Sequence, residues 1–155
     1  MSDYDLDFYA WTQRQGALLR RLAAGERVND ADLDWPNIAE EIETLGRSER
    51  GSLKNQLATI VEHLVKLQAS PAQEPRAGWR VTIRRCRLSV AELLDENPSL
   101  QPVTDEFVAD AMKPGRRLAE ISLEEDGETP RVDPEELIYS KDQVLGDWFP
   151  AEPEQ

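Results

Sequence analysis

The stretch from Asp34 to Leu67 constrains this chain most. Leu53, Leu57, Ile60, Leu64 and Leu67 follow one another at spacings of four, three, four and three. At about 100° per residue, that places all five on one stripe of a helix. Ile38, Ile42 and Leu45 repeat the pattern just before it. Asp34 is suited to cap the first segment with its carboxylate, Pro36 to sit in its first turn, and Gly46 to end it in the left-handed conformation. The spacing therefore predicts two amphipathic helices folded at Gly46 into a hairpin, whose apolar faces other helices must cover.

The chain has 155 residues, which suits one domain with a sizeable core. Acids outnumber bases 31 to 18, and the excess is concentrated. From Glu124 to Gln155 eleven acids stand against Arg131 and Lys141, nine of the thirteen net negative charges. This balance argues against nucleic acid and membrane as partners, since phosphate backbones and anionic lipids are themselves polyanions. The single Cys86 cannot close an intramolecular disulfide. No apolar run approaches the ~20 residues needed to span a bilayer. The acidic start Met1-Ser2-Asp3-Tyr4-Asp5 lacks the layout of a secretory signal. A cytoplasmic protein is the expectation.

Along the chain, Phe8, Trp11, Gln15, Leu18, Leu19 and Leu22 predict a first helix, capped by Asp5 or Asp7 and ended by Gly25. After a break at Ser70 to Pro75, Trp79, Ile83, Cys86, Val90, Leu93 and Leu94 share one face of a fourth helix. Arg76, Arg80, Arg84 and Arg87 form a second stripe on its flank. Val103, Phe107, Ala111, Leu118 and Ile121 predict a fifth helix, kinked or briefly broken at Pro114-Gly115. Ser140 and Gln143 have capping-box spacing for a short helix, and Trp148-Phe149-Pro150 should pin the end of the chain to the body. No run alternates with the period of a strand. The expected fold is all-α: one domain over 1–155, a compact bundle of about five main helices (1–123) with an irregular acidic extension (124–155) folded back on it.

Five segments stand out as a set: Tyr4-Asp5-x-Asp7-Phe8-Tyr9-Ala10-Trp11, Trp35-x-x-Ile38-Ala39-Glu40-Glu41-Ile42-Glu43-x-Leu45-Gly46-Arg47-Ser48-Glu49, His63-Leu64-Val65-Lys66, Trp79 with Thr82-Ile83, and Pro98-Ser99-Leu100. Together they resemble a bacterial family catalogued as domain of unknown function 29. The resemblance spans Tyr4 to Pro150 and implies an all-helical cytoplasmic protein. It carries no activity, cofactor or catalytic residue with it.

Candidate chemistry is sparse. Asp30, Asp32, Asp34 and Glu41 match positions one, three, five and twelve of a calcium loop, but Trp35 stands where that loop requires glycine. An acidic loop leading into a capped helix accounts for them better. Glu40, Glu41 and Glu43 suggest a carboxylate-bridged metal pair, yet no Glu-x-x-His step exists and Glu40 and Glu43 fall away from the apolar face. His63, at the border of its stripe, reads first as a packed, hydrogen-bonded group and second as a proton-transfer residue or lone ligand. A fold-back at Gly46 would bring Asp30 to Asp34 level with it. The arginine stripe reads as internally paired, with Glu40, Glu43 or the acidic tail, rather than as a phosphate grip. The four tryptophans read as core or anchor residues, and Cys86 as buried and inert.

The leading expectation is a non-enzymatic helical domain that acts through protein contacts, with no cofactor. The alternative is an enzyme or metal protein centred on Glu41, His63 and the Asp30–Asp34 loop.

Overall fold

Asp7 serves two helices. It closes α1 (Asp3–Leu6), and its Oδ1 accepts the Ala10 amide at 3.0 Å to open α2 (Phe8–Ala23), as an acidic cap should. Gly25, at φ +85°, then turns the chain out of α2 in the left-handed conformation. In this computed structural model, which describes residues 2–153, a 3-10 turn at Asp30–Asp32 leads into α3 (Trp35–Ala69) and α4 (Arg76–Glu96). A 3-10 segment (Pro98–Val103), α5 (Thr104–Glu125), a 3-10 turn (Pro134–Glu136) and α6 (Lys141–Leu145) follow. The fold is all-α, with no strand among the described residues. The chain divides into two compact units, Met1–Ser48 and Glu49–Gln155.

The expected hairpin does not form. α3 is a single helix of 35 residues that runs through Gly46, whose φ is not positive. Glycine inside a helix costs only about 1 kcal/mol relative to alanine. A turn there would instead strip helical partners from a whole turn of amides and carbonyls. Ile42 and Leu45 accordingly lie exposed, not under another helix.

In the second unit the longest stripe is the core, as its spacing predicts: Leu57, Ile60 and Leu64 are fully buried. Leu53, Leu57, Val61, Val65 and Ala69, four residues apart, form a buried ridge on α3. α5 opposes it with Phe107, Ala111, Gly115, Ala119 and Leu123. Ridges of this kind interlock in the packing class that crosses helices at roughly −50°. They meet where a Cβ built on Gly115 would stand 2.6 Å from the Val61 Cβ and 3.0 Å from the Ala58 carbonyl oxygen. Only glycine fits there. The ridge also explains a departure from the expected α5 face. Each four-residue step turns it by about 40°, so Leu118 and Ile121 come out exposed while Ala119 and Leu123 are buried. α5 passes Pro114 without a break. The carbonyl that proline leaves unpaired belongs to Asp110, an exposed residue that water can serve.

α4 contributes Trp79, Ile83, Cys86, Val90 and Leu94 to the same core. Burial pushes the Cys86 thiol up, and the charge of Glu62 adds to it, which leaves the sulfur a poor nucleophile. Ser140 and Gln143 form the expected capping box at α6, which buries Val144.

Two glycine substitutions should have opposite signs. Gly46→Ala, with nothing within 4 Å of the new Cβ, should raise unfolding stability by about 0.5–1 kcal/mol in urea titrations. Gly115→Ala should lower it by about 1–3 kcal/mol. Loss of stability in Gly46→Ala would restore the turn, and indifference in Gly115→Ala would remove the close crossing.

Candidate functional site: a locked first unit with an exposed seam

The acids singled out in the first unit accept hydrogen bonds from aromatic donors. Trp11 Nε1 donates to Asp34 Oδ2 at 3.0 Å, and Asn37 Nδ2 donates to the same oxygen at 2.8 Å. The Asn37 side chain is the chief reason that the Asp34 carboxyl is held below its ordinary value; burial opposes it, and Trp11 and the Asn37 amide reinforce it. Trp35 Nε1 donates to Asp30 Oδ1 at 2.8 Å. The Tyr4 hydroxyl donates to Glu41. That bond, then burial and the Glu41 charge, push Tyr4 up to about 12.

Buried Gln15 completes the arrangement, accepting the Asp34 amide at 2.9 Å and donating to the Asp32 carbonyl at 3.2 Å. The Tyr4 ring stands edge-on to Trp11 and Phe8, with centroids 4.9 and 5.5 Å away. Together these contacts fasten α1 and α2 to the first turns of α3. A cleft of about 610 Å³ beside them is lined by Asp3, Trp11, Arg14, Gln15, Asp32 and Asp34, and Arg14 is paired with Asp3.

Asp30, Asp32, Asp34 and Glu41 are thus near neighbours in sequence whose carboxylates do not converge. Among the described residues no group of three His, Cys, Asp or Glu side chains could hold a metal ion. His63 belongs to the other unit. It is half-buried and directs Nδ1 to the Thr59 carbonyl at 2.8 Å, one turn back along α3. The carbonyl can only accept, so Nδ1 carries the proton. The fold-back that would have brought the aspartates level with it is absent, because α3 does not turn.

The first turns of α3 carry a second feature. Trp35, Ile38, Ile42 and Leu45 are spaced three, four and three apart, the a/d seam of a helix that pairs with another helix. Trp35 is 43%, Ile42 65% and Leu45 68% exposed. Along one edge of the seam stand exposed Ala39 and Gly46, small enough to let a backbone approach. Trp35 is therefore anchored through its indole N–H but is not a core residue, unlike buried Trp11 and Trp79.

The family description Domain of unknown function DUF29 matches residues 4–149. The chain belongs to the DUF29 family. No curated protein and no solved structure matches it. In this DUF29 chain, Tyr4, Asp7, Trp11, Trp35 and Glu41 of the quoted segments form the caps and locks of the first unit, and Ile38, Ile42 and Leu45 its seam. Among the described residues no helix is long and apolar enough to cross a membrane.

The arginine stripe of the second unit is internally engaged. Arg76 Nε meets Glu152 at 2.5 Å, and Arg80 binds the same carboxylate. Arg87 donates to the carbonyls of Gln143, Val144 and Trp148 at 2.8, 2.8 and 2.6 Å. Arg84 and Arg87 cover the Phe149 ring at 5.3 and 4.8 Å. The extension is therefore fastened by guanidinium groups as well as aromatics. Glu40 and Glu43 pair with Arg47 instead. Reading by residue type missed Gln15 and Asn37, though Gln15 had a signal, as a polar side chain placed on an apolar face. The pairing of the stripe with the acidic tail was expected, and Glu152 is the residue that makes it.

The Tyr4–Glu41 bond can be followed by pH. A phenol raised in the folded state contributes stability below the ordinary tyrosine value near 10.0, and that contribution is lost as pH rises through about 12. Burial raises the Tyr139 phenol as well, so Tyr4 is read by difference: absorbance titration should find a phenol ionising near 12 that is lost in Tyr4→Phe and returned toward about 10 in Glu41→Gln. An unchanged titration in Glu41→Gln would dissolve the lock. Asp34 has the opposite sign. Its contribution is present above about pH 3.8 and lost as pH falls below it, so Asp34→Asn should flatten the acid limb of the stability curve.

Proposed function

We propose that this DUF29 protein is a non-enzymatic module of the bacterial cytoplasm that acts by binding another protein through its first unit. The seam on α3 carries the reading: Ile42 and Leu45 stand largely exposed at helix-pairing spacing, on a helix whose start is held by Trp11–Asp34 and Tyr4–Glu41. A rigid apolar row of this kind is a recognition surface in helix-in-groove and coiled-coil contacts. The polar groups around it support the same view, because Asp30, Asp34 and Glu41 are engaged in holding the unit together. The charge of the region disfavours nucleic acid. The single Cys86 fits a reducing compartment.

Photo-crosslinking in the native host tests this. A benzophenone amino acid at Leu45 should give an adduct with another protein, and the same group at Leu88, equally exposed on the second unit, should not. No adduct at Leu45, or equal adducts at both positions, would contradict the proposal.

A further inference from the structure

The seam lies in a net acidic unit: Met1–Ser48 carries ten acids against five arginines, and of these Arg14, Arg21 and Arg47 are paired with Asp3, Glu26 and Glu40. From Ser2 to Gln13 there are three acids (Asp3, Asp5, Asp7) and no base; from Val28 to Gly46 there are six (Asp30, Asp32, Asp34, Glu40, Glu41, Glu43) and again none. The first opposite charge on α3 is Arg47, which turns back to Glu40 and Glu43. The apolar row is also short. The next positions in its repeat are Glu49 and Ser52, so it ends after Leu45, having covered about three turns of helix.

We propose that the seam of α3 binds a basic amphipathic helix of about three turns, roughly 11 residues, with its apolar face on Trp35, Ile42 and Leu45 and its flanks carrying Lys or Arg. This rests on the protein-contact reading and names the partner's chemistry. Three observations select that occupant. The spacing fits a helix rather than a strand. The exposed small residues Ala39 and Gly46 leave one edge open, and nothing lies within 4 Å of a Cβ built on Gly46. The other edge carries Asp34 and Glu41, already fastened to Trp11 and Tyr4, so their negative charge is fixed in place. A second copy of this chain would bring the same acids against one another, and like charges across an interface are costly. A basic helix is attracted by them, and its binding weakens with salt.

The test uses the full chain and three labelled synthetic peptides followed by fluorescence anisotropy. One is helical with Leu on the seam positions and Lys on the flanks, one has Glu in place of Lys, and one is a scramble of the Leu/Lys composition. The Leu/Lys helix should bind saturably, and the other two should not. Ile42→Ser combined with Leu45→Ser should weaken it by about tenfold or more while leaving the melting temperature in place, since both side chains are exposed. Equal binding of the scramble, equal or tighter binding of the Glu peptide, or full binding by the double variant would overturn the inference. So would a wild-type dimer in sedimentation that the double variant dissociates. A crosslinked partner at Leu45 alongside failure of the Leu/Lys helix would refute the basic-helix inference alone; absence of any adduct would remove both.

Discussion

A helix of 35 residues needs partners along its length, and α3 has continuous packing only over its second half. Intrinsic propensity does not hold such a helix in water; packing of an apolar face does. From Leu53 to Ala69 that packing comes from α4 and α5, tightest where Gly115 admits Val61. From Trp35 to Leu45 it is replaced by a few directed contacts at the edge, Trp11 to Asp34 and Tyr4 to Glu41. One face there stays uncovered. Structure and proposed function thus share an origin, for the seam exists because the helix does not fold back.

The far end of α3 shows how a buried charge is accommodated. The last carbonyls of a helix lack internal partners and carry partial negative charge. Arg76, only 3% exposed, donates to the carbonyls of Leu67 and, at 3.4 Å, Ser70. Arg131 reaches those of Gln68 and Ser70 at 3.0 and 3.2 Å, while its amide meets the Ala69 carbonyl at 2.7 Å. Glu152 neutralises Arg76 from the other side. An unpaired charge at such burial would be costly. Here each guanidinium nitrogen has a partner, which ties the start of α4 and the acidic extension to the end of α3.

Much of the fold was legible in the sequence because its signals are periodic or local. The Leu53–Leu67 stripe, the face of α4, the Asp7 cap and the Ser140–Gln143 box all lie where spacing put them. Gly46 misled because a glycine's freedom permits a turn without requiring one, and the polar run from Arg47 to Ser52 that follows it holds no proline and stays helical. Leu118 and Ile121 misled because the buried face of α5 follows an inclined ridge rather than the helix axis. At the candidate site the acids were visible as acids, yet their pairing with Tyr4, Trp11 and Trp35 depends on tertiary placement that spacing cannot carry.

Residue-resolved hydrogen exchange along α3 tests the central claim directly. Amides from Leu57 to Val65 should be the slowest, and protection should continue at a lower level through Leu45, Gly46, Arg47 and Ser48, well above that of the loop from Glu26 to Asn29. Exchange at Gly46 to Ser48 as fast as in that loop would mean that the helix is interrupted there, and the seam would lose the rigid support on which the account depends.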